Sequence, residues 1–329
     1  MNPDKNPIFV ARYEFGSVIY FLLALLLSNA AGIAADATNA VPDSKAVTNA
    51  SPPPRQYHYK TNPDSLPQEG VPKGRLEGPL LFKSQIFTNT VRKYWVYAPA
   101  QYTPDKPACV LVFQDGQRAT RTNGPLRLPQ VMENLIAKKE MPVTIGIFIT
   151  PGALGDEYVE ARNGNPNNRS VEYDSPGDKY SRFIIEEMLP EVGKSYNLTK
   201  DPEGRAIGGT SSGAICAFTV AWERPDQFRK VISCIGSFTD IKGGHVYPQL
   251  IRESEKKPIR IFLEDTLDDN PNAANPKRDW HLQNKAMVAA LQEKSYDMTY
   301  VFDEGRHSDD HGGSIMPDML RWIWRDYPK

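Results

Sequence analysis

The residues best suited to chemistry lie in the run Gly208-Gly209-Thr210-Ser211-Ser212-Gly213. It contains Gly-x-Ser-x-Gly as Gly209, Ser211 and Gly213, a triplet that chance alone produces in about one chain in ten of this length. Its surroundings raise its weight. An apolar stretch, Arg205–Gly208, runs in, and a helical pattern, Ala214–Glu223, runs out. A strand, a sharp turn and a helix present the central hydroxyl at the carboxyl edge of a sheet. The helix N-terminus beside it favours developing negative charge. Glycines are needed on both sides of the serine, because side chains there would meet the neighbouring strand and helix. The expected chemistry is nucleophilic attack by Ser211; the bland alternative is a structural Gly/Ser turn.

A serine nucleophile needs a base. Five histidines are present: His58, His245, His281, His307 and His311. In a chain order Ser, acid, His, the base follows the last strands. His307 fits, because it follows the apolar run Met298–Phe302 after the short segment Asp303-Glu304-Gly305-Arg306. His311 is its rival, four residues on, and His245, after Gly243-Gly244, is a third candidate. The acid that orients the base should follow the run Ile259–Leu263. Glu264, Asp265, Asp268 and Asp269 all crowd there, and composition does not choose among them. The same crowding fits a calcium loop or plain solvated acids.

Two further segments fit acyl transfer. The run Val112-Phe113-Gln114-Asp115-Gly116-Gln117 ends an apolar stretch in a glycine turn. It offers a backbone amide at Gly116 or Gln117 for an oxyanion hole, with the amide of Ser212 as its partner. Arg169, Glu172 and Tyr173 lie in a polar stretch between Gly152 and Tyr180 and are expected to line or brace a pocket. Tyr158, Tyr173, Tyr247 and Trp280 are candidates for an aromatic floor, although aromatics at such places more often serve packing.

These residues need a scaffold, and the chain supplies one. Continuous apolar, β-branched runs at Ala108–Phe113, Val143–Ile149 and Val231–Ile235 suit strands covered on both faces, as in a parallel sheet. Lys93–Ala98, Ile259–Leu263 and Met298–Phe302 read as further strands. Helical patterns lie between them at Tyr180–Val192, Leu282–Glu293 and Ile315–Tyr327, whereas Arg306–Gly313 reads as loop. The alternation predicts an α/β fold with a mostly parallel central sheet and helices on both faces.

The chain has 329 residues, a net charge of −1, 40% hydrophobic and 24% charged residues. One domain of this size buries about three quarters of the surface its unfolded chain exposes. The near-zero charge argues against a nucleic-acid partner. Residues 1–35 read as a secretory signal peptide: Lys5 and Arg12, the apolar run Val18–Leu27, then small residues to Ala35. That run is shorter than the ~20 residues of a membrane span, so no stable membrane insertion is expected after cleavage. Residues 36–75 hold seven prolines and only four aliphatic side chains, Val41, Val47, Leu66 and Val71. They predict a flexible linker ahead of a catalytic domain over 76–329, in a secreted or periplasmic protein. Cys216 and Cys234 are candidates for a bridge in such a compartment, but both sit in runs that look like core.

On these residues the sequence resembles the esterase family of α/β-hydrolases that includes esterase D, enterochelin esterases, mycolyltransferases, and the feruloyl and acetylxylan esterases of carbohydrate esterase family one. The resemblance rests on Tyr94–Pro99, Val112–Gly116, Asn168–Tyr173, Ile207–Ala214 and Gly305–Ser308. It implies the α/β-hydrolase fold, Ser211 as nucleophile, His307 as base, and no metal or organic cofactor. The family's acid falls in a Gly-x-x-Asp motif. Here Thr266-Leu267-Asp268-Asp269 keeps the spacing without the glycine and points to Asp269, with Asp265 and Asp268 as alternatives. The implied substrate is a carboxylic ester, an acyl or hydroxycinnamoyl decoration of a polysaccharide, or a siderophore trilactone. An acyltransferase would use the same residues. Two readings come from other classes: a metal-dependent hydrolase built on His307, His311 and the nearby acids, and a non-catalytic binding module.

Overall fold

Alternating apolar side chains decide the architecture. Along the strand Cys109–Gln114, Val110 and Val112 belong to one buried cluster while Leu111 and Phe113 belong to another. A strand with apolar residues on both faces is stable only between two layers. The computed structural model describes residues 55–160 and 164–328. The expected signal peptide and the first part of the expected linker lie outside them.

The strands are β1 (Arg75–Lys83), β2 (Thr90–Ala98), β3 (Cys109–Gln114), β4 (Thr144–Ile149), β5 (Ala153–Leu154), β6 (Arg205–Thr210), β7 (Lys230–Cys234), β8 (Arg260–Asp268) and β9 (Asp297–Arg306). They form one sheet in the order β1-β2-β4-β3-β6-β7-β8-β9, with β5 beside β2. From β4 to β9 every pairing is parallel. The antiparallel pairs are those of β2 with β1, β4 and β5.

The helices are α1 (Gly116–Ala119), α2 (Leu128–Ala137), α3 (Arg169–Tyr173), α4 (Lys179–Arg182), α5 (Leu189–Gly193), α6 (Ser212–Glu223), α7 (Tyr247–Glu253), α8 (Trp280–Glu293) and α9 (Asp309–Ile323). Residues of α6 and α8 share one core cluster with Val110 and Val112. Residues of α2 and α9 share the other with Leu111 and Phe113. The fold is thus an α/β sheet covered on both faces, as the alternation predicts. The helix expected over Tyr180–Val192 runs from α4 through a π turn, Phe183–Met188, into α5. Pro190 has no N–H to give to the preceding turn, which suits the wider π spacing.

Three expectations are corrected. First, residues 55–75 do not behave as a free tether. Asp64 and Ser65 are buried. Asp64 pairs with Lys138 and Arg321, and Asn134 donates to the carbonyls of Asp64 and Leu66 at 2.8 Å each. Seven residues earlier, Tyr57 donates to Asp268, and Tyr59 donates to the Glu304 carbonyl. Polar anchors, rather than apolar area, hold this strap down. Second, β8 and β9 extend beyond their apolar runs through Glu264–Asp268 and Asp303–Arg306, by pairing with each other. Third, Asp309 opens a helix where a loop is expected. Ser308 caps it, and Asp309 and Asp310 occupy its first turn, where carboxylates favour the dipole.

Candidate active site

Ser211 occupies the turn between β6 and α6 with φ 58° and ψ −123°. A non-glycine residue is held in such a conformation only where its surroundings over-determine it. Here they do. A Cβ on Gly209 would lie 2.4 Å from the carbonyl carbon and oxygen of Gly213, so the turn closes only around glycine. The Ser211 amide donates to the Cys234 carbonyl of β7 at 2.9 Å, and the Ser237 amide donates to the Ser211 carbonyl at 3.2 Å.

Three distant segments meet at this turn. His307 follows β9, and its Nε2 lies 2.8 Å from Ser211 Oγ. Its Nδ1 lies 2.5 Å from Asp269 Oδ1. Asp269 follows β8, is fully buried and has its amide turned back to the Thr266 carbonyl at 3.1 Å. With Nδ1–H given to the carboxylate, Nε2 is left to accept the serine proton. Of the rival acids, Asp268 is exposed and takes the Tyr57 hydroxyl, while Asp265 faces His281 Nδ1 at 2.8 Å. Of the rival bases, His311 is buried against Glu264 (2.6 Å) and His245 pairs with Asp240 (3.2 Å). His307 and His311 therefore serve different carboxylates. Among the described residues no group of three or more His, Cys, Asp or Glu side chains is disposed to hold a metal ion.

Gly116 opens α1 and Ser212 opens α6. The amides of Gly116, Gln117 and Ser212 belong to first turns, which have no carbonyl one turn back. A Cβ on Gly116 would meet the Phe148 carbonyl carbon at 2.5 Å and the Ile149 nitrogen at 2.7 Å, so only glycine lets α1 start this close to β4.

The segment around Arg169 braces the elbow instead of lining a pocket. Asp115 is buried, and Arg169 (2.6 Å) and Arg118 (2.8 Å) pair with it. Burial alone would raise the Asp115 carboxyl, but the charges of Arg169 and Arg118 hold it below the usual range. Arg118 also donates to Thr210 Oγ1 at 2.6 Å, immediately before Ser211. Glu172 and Tyr173 are buried, which corrects the expectation that they line a pocket. Glu172 forms an ion pair with Arg92 (2.9 Å) in which neither side chain is exposed. Tyr173 and Tyr247 are core residues and no aromatic floor. Trp280 is different. Its ring lies 5.8 Å from that of His307, and its Nε1 donates to Ser237 Oγ at 2.9 Å. Ser237 Oγ in turn lies 3.1 Å from Ser211 Oγ. Cys109, Cys216 and Cys234 are buried free thiols, so Cys216 and Cys234 are not bridged.

Sequence reasoning missed Ser237, Asp115, Arg118 and the strap. Ser237 sits in the loop after β7, the next strand of the sheet. That loop is the signal that would have found it, because adjacent strand ends converge on one site. Two polar clefts flank the histidine loop. One, of about 480 Å³, lies between Tyr57, Tyr59, Asn123, Arg127 and Asp310, and the other, of about 230 Å³, reaches Arg306 and Ser308.

The chain is similar to known proteins in sequence and in fold. The family model described as "Putative esterase" matches residues 84–312. Among curated proteins, the chain is 22% identical over 208 residues to "Uncharacterized protein YbbA" of Bacillus subtilis (strain 168), covering 62% of this chain and 80% of that one. It is 23% identical over 201 residues to "Iron(III) enterobactin esterase" of Dickeya dadantii (strain 3937), covering 59% of this chain but only 40% of that one. Among solved structures, a ferulic acid esterase superposes with a TM-score of 0.60 at 19% identity, covering 77% of this chain and 99% of its own. Enterobactin esterase of Shigella flexneri gives 0.60 at 18% identity, over 80% of this chain and 62% of its own. At such identities the structural likeness is one of fold, the α/β-hydrolase fold. Among the described residues no helix is long and apolar enough to cross a membrane.

Proposed function

We propose, from the premise that the chain belongs to the Putative esterase family and is a carboxylic ester hydrolase, that it works through Ser211, His307 and Asp269 on acyl or hydroxycinnamoyl esters of polysaccharides outside the cytoplasm. One observation carries the mechanism: the hydrogen-bonded chain Ser211 Oγ–His307–Asp269, at 2.8 and 2.5 Å. Ser211 attacks the ester carbonyl as His307 Nε2 takes its proton. The oxyanion meets the amides of Ser212 and of Gly116 or Gln117. Collapse expels the alcohol, which receives its proton from His307 and leaves an acyl-Ser211. Water, deprotonated by the same imidazole, then releases the acid. Asp269 keeps the imidazole in the tautomer that accepts at Nε2 and offsets the charge it gains.

Support for the substrate class comes from Trp280 beside His307, a flat surface for a phenolic acyl group. The basic, apolar and small-residue pattern of residues 1–35 supports export. A siderophore trilactone is the second reading, favoured by the likeness to enterobactin esterases, although the chain spans only part of their length. The test is hydrolysis of p-nitrophenyl acetate, methyl ferulate and a catecholate trilactone by the purified protein and by Ser211→Ala. Turnover of methyl ferulate, lost in the variant, is expected. Turnover of the trilactone alone would replace the substrate reading, and an active Ser211→Ala would overturn the mechanism.

A further inference from the structure

Behind the Ser211–His307–Asp269 chain lies a second carboxyl and a second imidazole that the reaction above does not use. Asp265 is buried on β8, and His281 lies in the first turn of α8. His281 Nδ1 lies 2.8 Å from Asp265 Oδ2, and the His281 amide donates to the Asp269 carbonyl at 3.3 Å. The His281 ring is held against Phe302, centroid to centroid 5.2 Å. Through these two hydrogen bonds Asp265 and Asp269 share His281 as a common neighbour. Yet Asp265 Oδ1 and Asp269 Oδ2 are both buried without a donor. Asp269 Oδ1 is engaged by His307 and Asp265 Oδ2 by His281, so these two orphans are the atoms left to meet.

Two buried acceptors that meet are repulsive if both groups are ionised, and a single proton between them removes the conflict. We propose that Asp265 is a positioning residue for the ester hydrolysis: it carries that proton at neutral pH, donates it to Asp269 Oδ2, and with His281 holds the Asp269 carboxylate against His307. One proton then completes the whole set of hydrogen bonds. His281 Nδ1–H donates to Asp265 Oδ2, Asp265 Oδ1–H donates to Asp269 Oδ2, and His307 Nδ1–H donates to Asp269 Oδ1.

The surrounding groups favour this placement. Burial first, then Asp269 and the charge of Glu264, push the Asp265 carboxyl up, against a weaker opposing pull from the Thr266 backbone N–H. His281 does not supply a compensating positive charge: burial first, then Lys285, push its imidazole down, against weaker opposing pulls from Asp279, Asp269 and Asp268. Asp269 faces the imidazole that becomes charged during the reaction.

The inference rests on the role proposed for Ser211, His307 and Asp269, and its test separates the two. In Asp265→Asn the amide donates where the acid donated and accepts from His281 where the acid accepted. Its kcat and KM should stay within about threefold of the parent. Asp265→Ala leaves Asp269 Oδ2 without a donor. Its kcat should fall roughly ten- to hundredfold with little change in KM. His281→Gln, which still donates to Asp265, should behave like the Asn variant, and His281→Leu like the Ala variant. An infrared difference spectrum of parent minus Asp265→Asn at neutral pH should contain a carboxylic acid C=O band, a readout that needs no turnover. Loss of kcat in Asp265→Asn as large as in Asp265→Ala, parental kinetics in Asp265→Ala, or absence of that band would each overturn the proposal. An active Ser211→Ala would instead remove the mechanism while leaving the infrared result to stand.

Discussion

Replacing Glu172 by alanine separates a structural role from a substrate-binding one. Its carboxylate accepts from Arg92 Nη1 (2.9 Å), Arg92 Nη2 (3.1 Å), the Gly152 amide (3.1 Å) and Asn168 Nδ2 (2.8 Å). Neither Glu172 nor Arg92 has any exposed side-chain area. Truncation strands a guanidinium in the core, where the Phe183 ring, 4.0 Å away, is a poor substitute for an anion. Breaking a buried pair from one side costs about 3–5 kcal/mol. At about 2–4 °C per kcal/mol for a domain of this size, the melting temperature should fall by roughly 6–20 °C. Thermal unfolding followed by calorimetry reads this, and initial rates at 25 °C read KM, which should stay within about twofold because the carboxylate faces the core. The double variant Arg92→Met, Glu172→Leu should recover most of the loss, since replacing both charges by apolar groups removes the desolvation penalty. An unchanged melting temperature with a raised KM would refute this reasoning and return Glu172 to the substrate pocket.

The other expectations are shorter. Asp269→Asn should lower kcat by about three to four orders of magnitude by favouring the wrong imidazole tautomer, while Asp268→Asn, which disturbs only the Tyr57 contact, should stay within about threefold; steady-state kinetics with the reverse ranking would reassign the acid. Burial alone would raise Asp64, but Lys138 and Arg321 hold it down at about 2. A depressed carboxylate stabilises above its unfolded value near 4 and loses that contribution as pH falls towards 2. Asp64→Asn should therefore cost about 1 kcal/mol at pH 7, after allowance for solvent screening, and only a small fraction of that at pH 2; denaturant melts showing a gap independent of pH would exclude the ion pair as the cause. Gly209→Ala places a Cβ 2.4 Å from backbone atoms of Gly213, so it should destabilise by about 3 kcal/mol or more; a variant with parental stability and activity would mean that the elbow is looser than described.

Much of the scaffold is legible without tertiary information. The runs that become β3, β4 and β7 are apolar on consecutive residues because both faces of the sheet are covered. What escaped lies at the edges. β1 has no buried side chain and is held mainly by backbone pairing to β2, so its sequence carries no periodic signal. The extensions of β8 and β9 are polar and exist because each strand end pairs with the other. The strap is anchored by a few polar contacts to residues up to 257 positions away, and composition cannot register those.

The same division holds at the site. Ser211 is readable because its turn has a steric requirement, glycine at 209, that is local to a few residues. His307 is readable by its position after a late apolar strand. The acid is not: Glu264, Asp265, Asp268 and Asp269 offer the same chemistry within six residues, and a strand sends alternate side chains to opposite faces. How far β8 continues, and the Thr266–Asp269 turn that ends it, decides which carboxylate reaches His307, 38 residues on, and which turns to Tyr57, His281 or His311. Local sterics write themselves into sequence. The direction of one carboxylate among four depends on strand pairing between segments far apart in the chain, and only the folded molecule sets it.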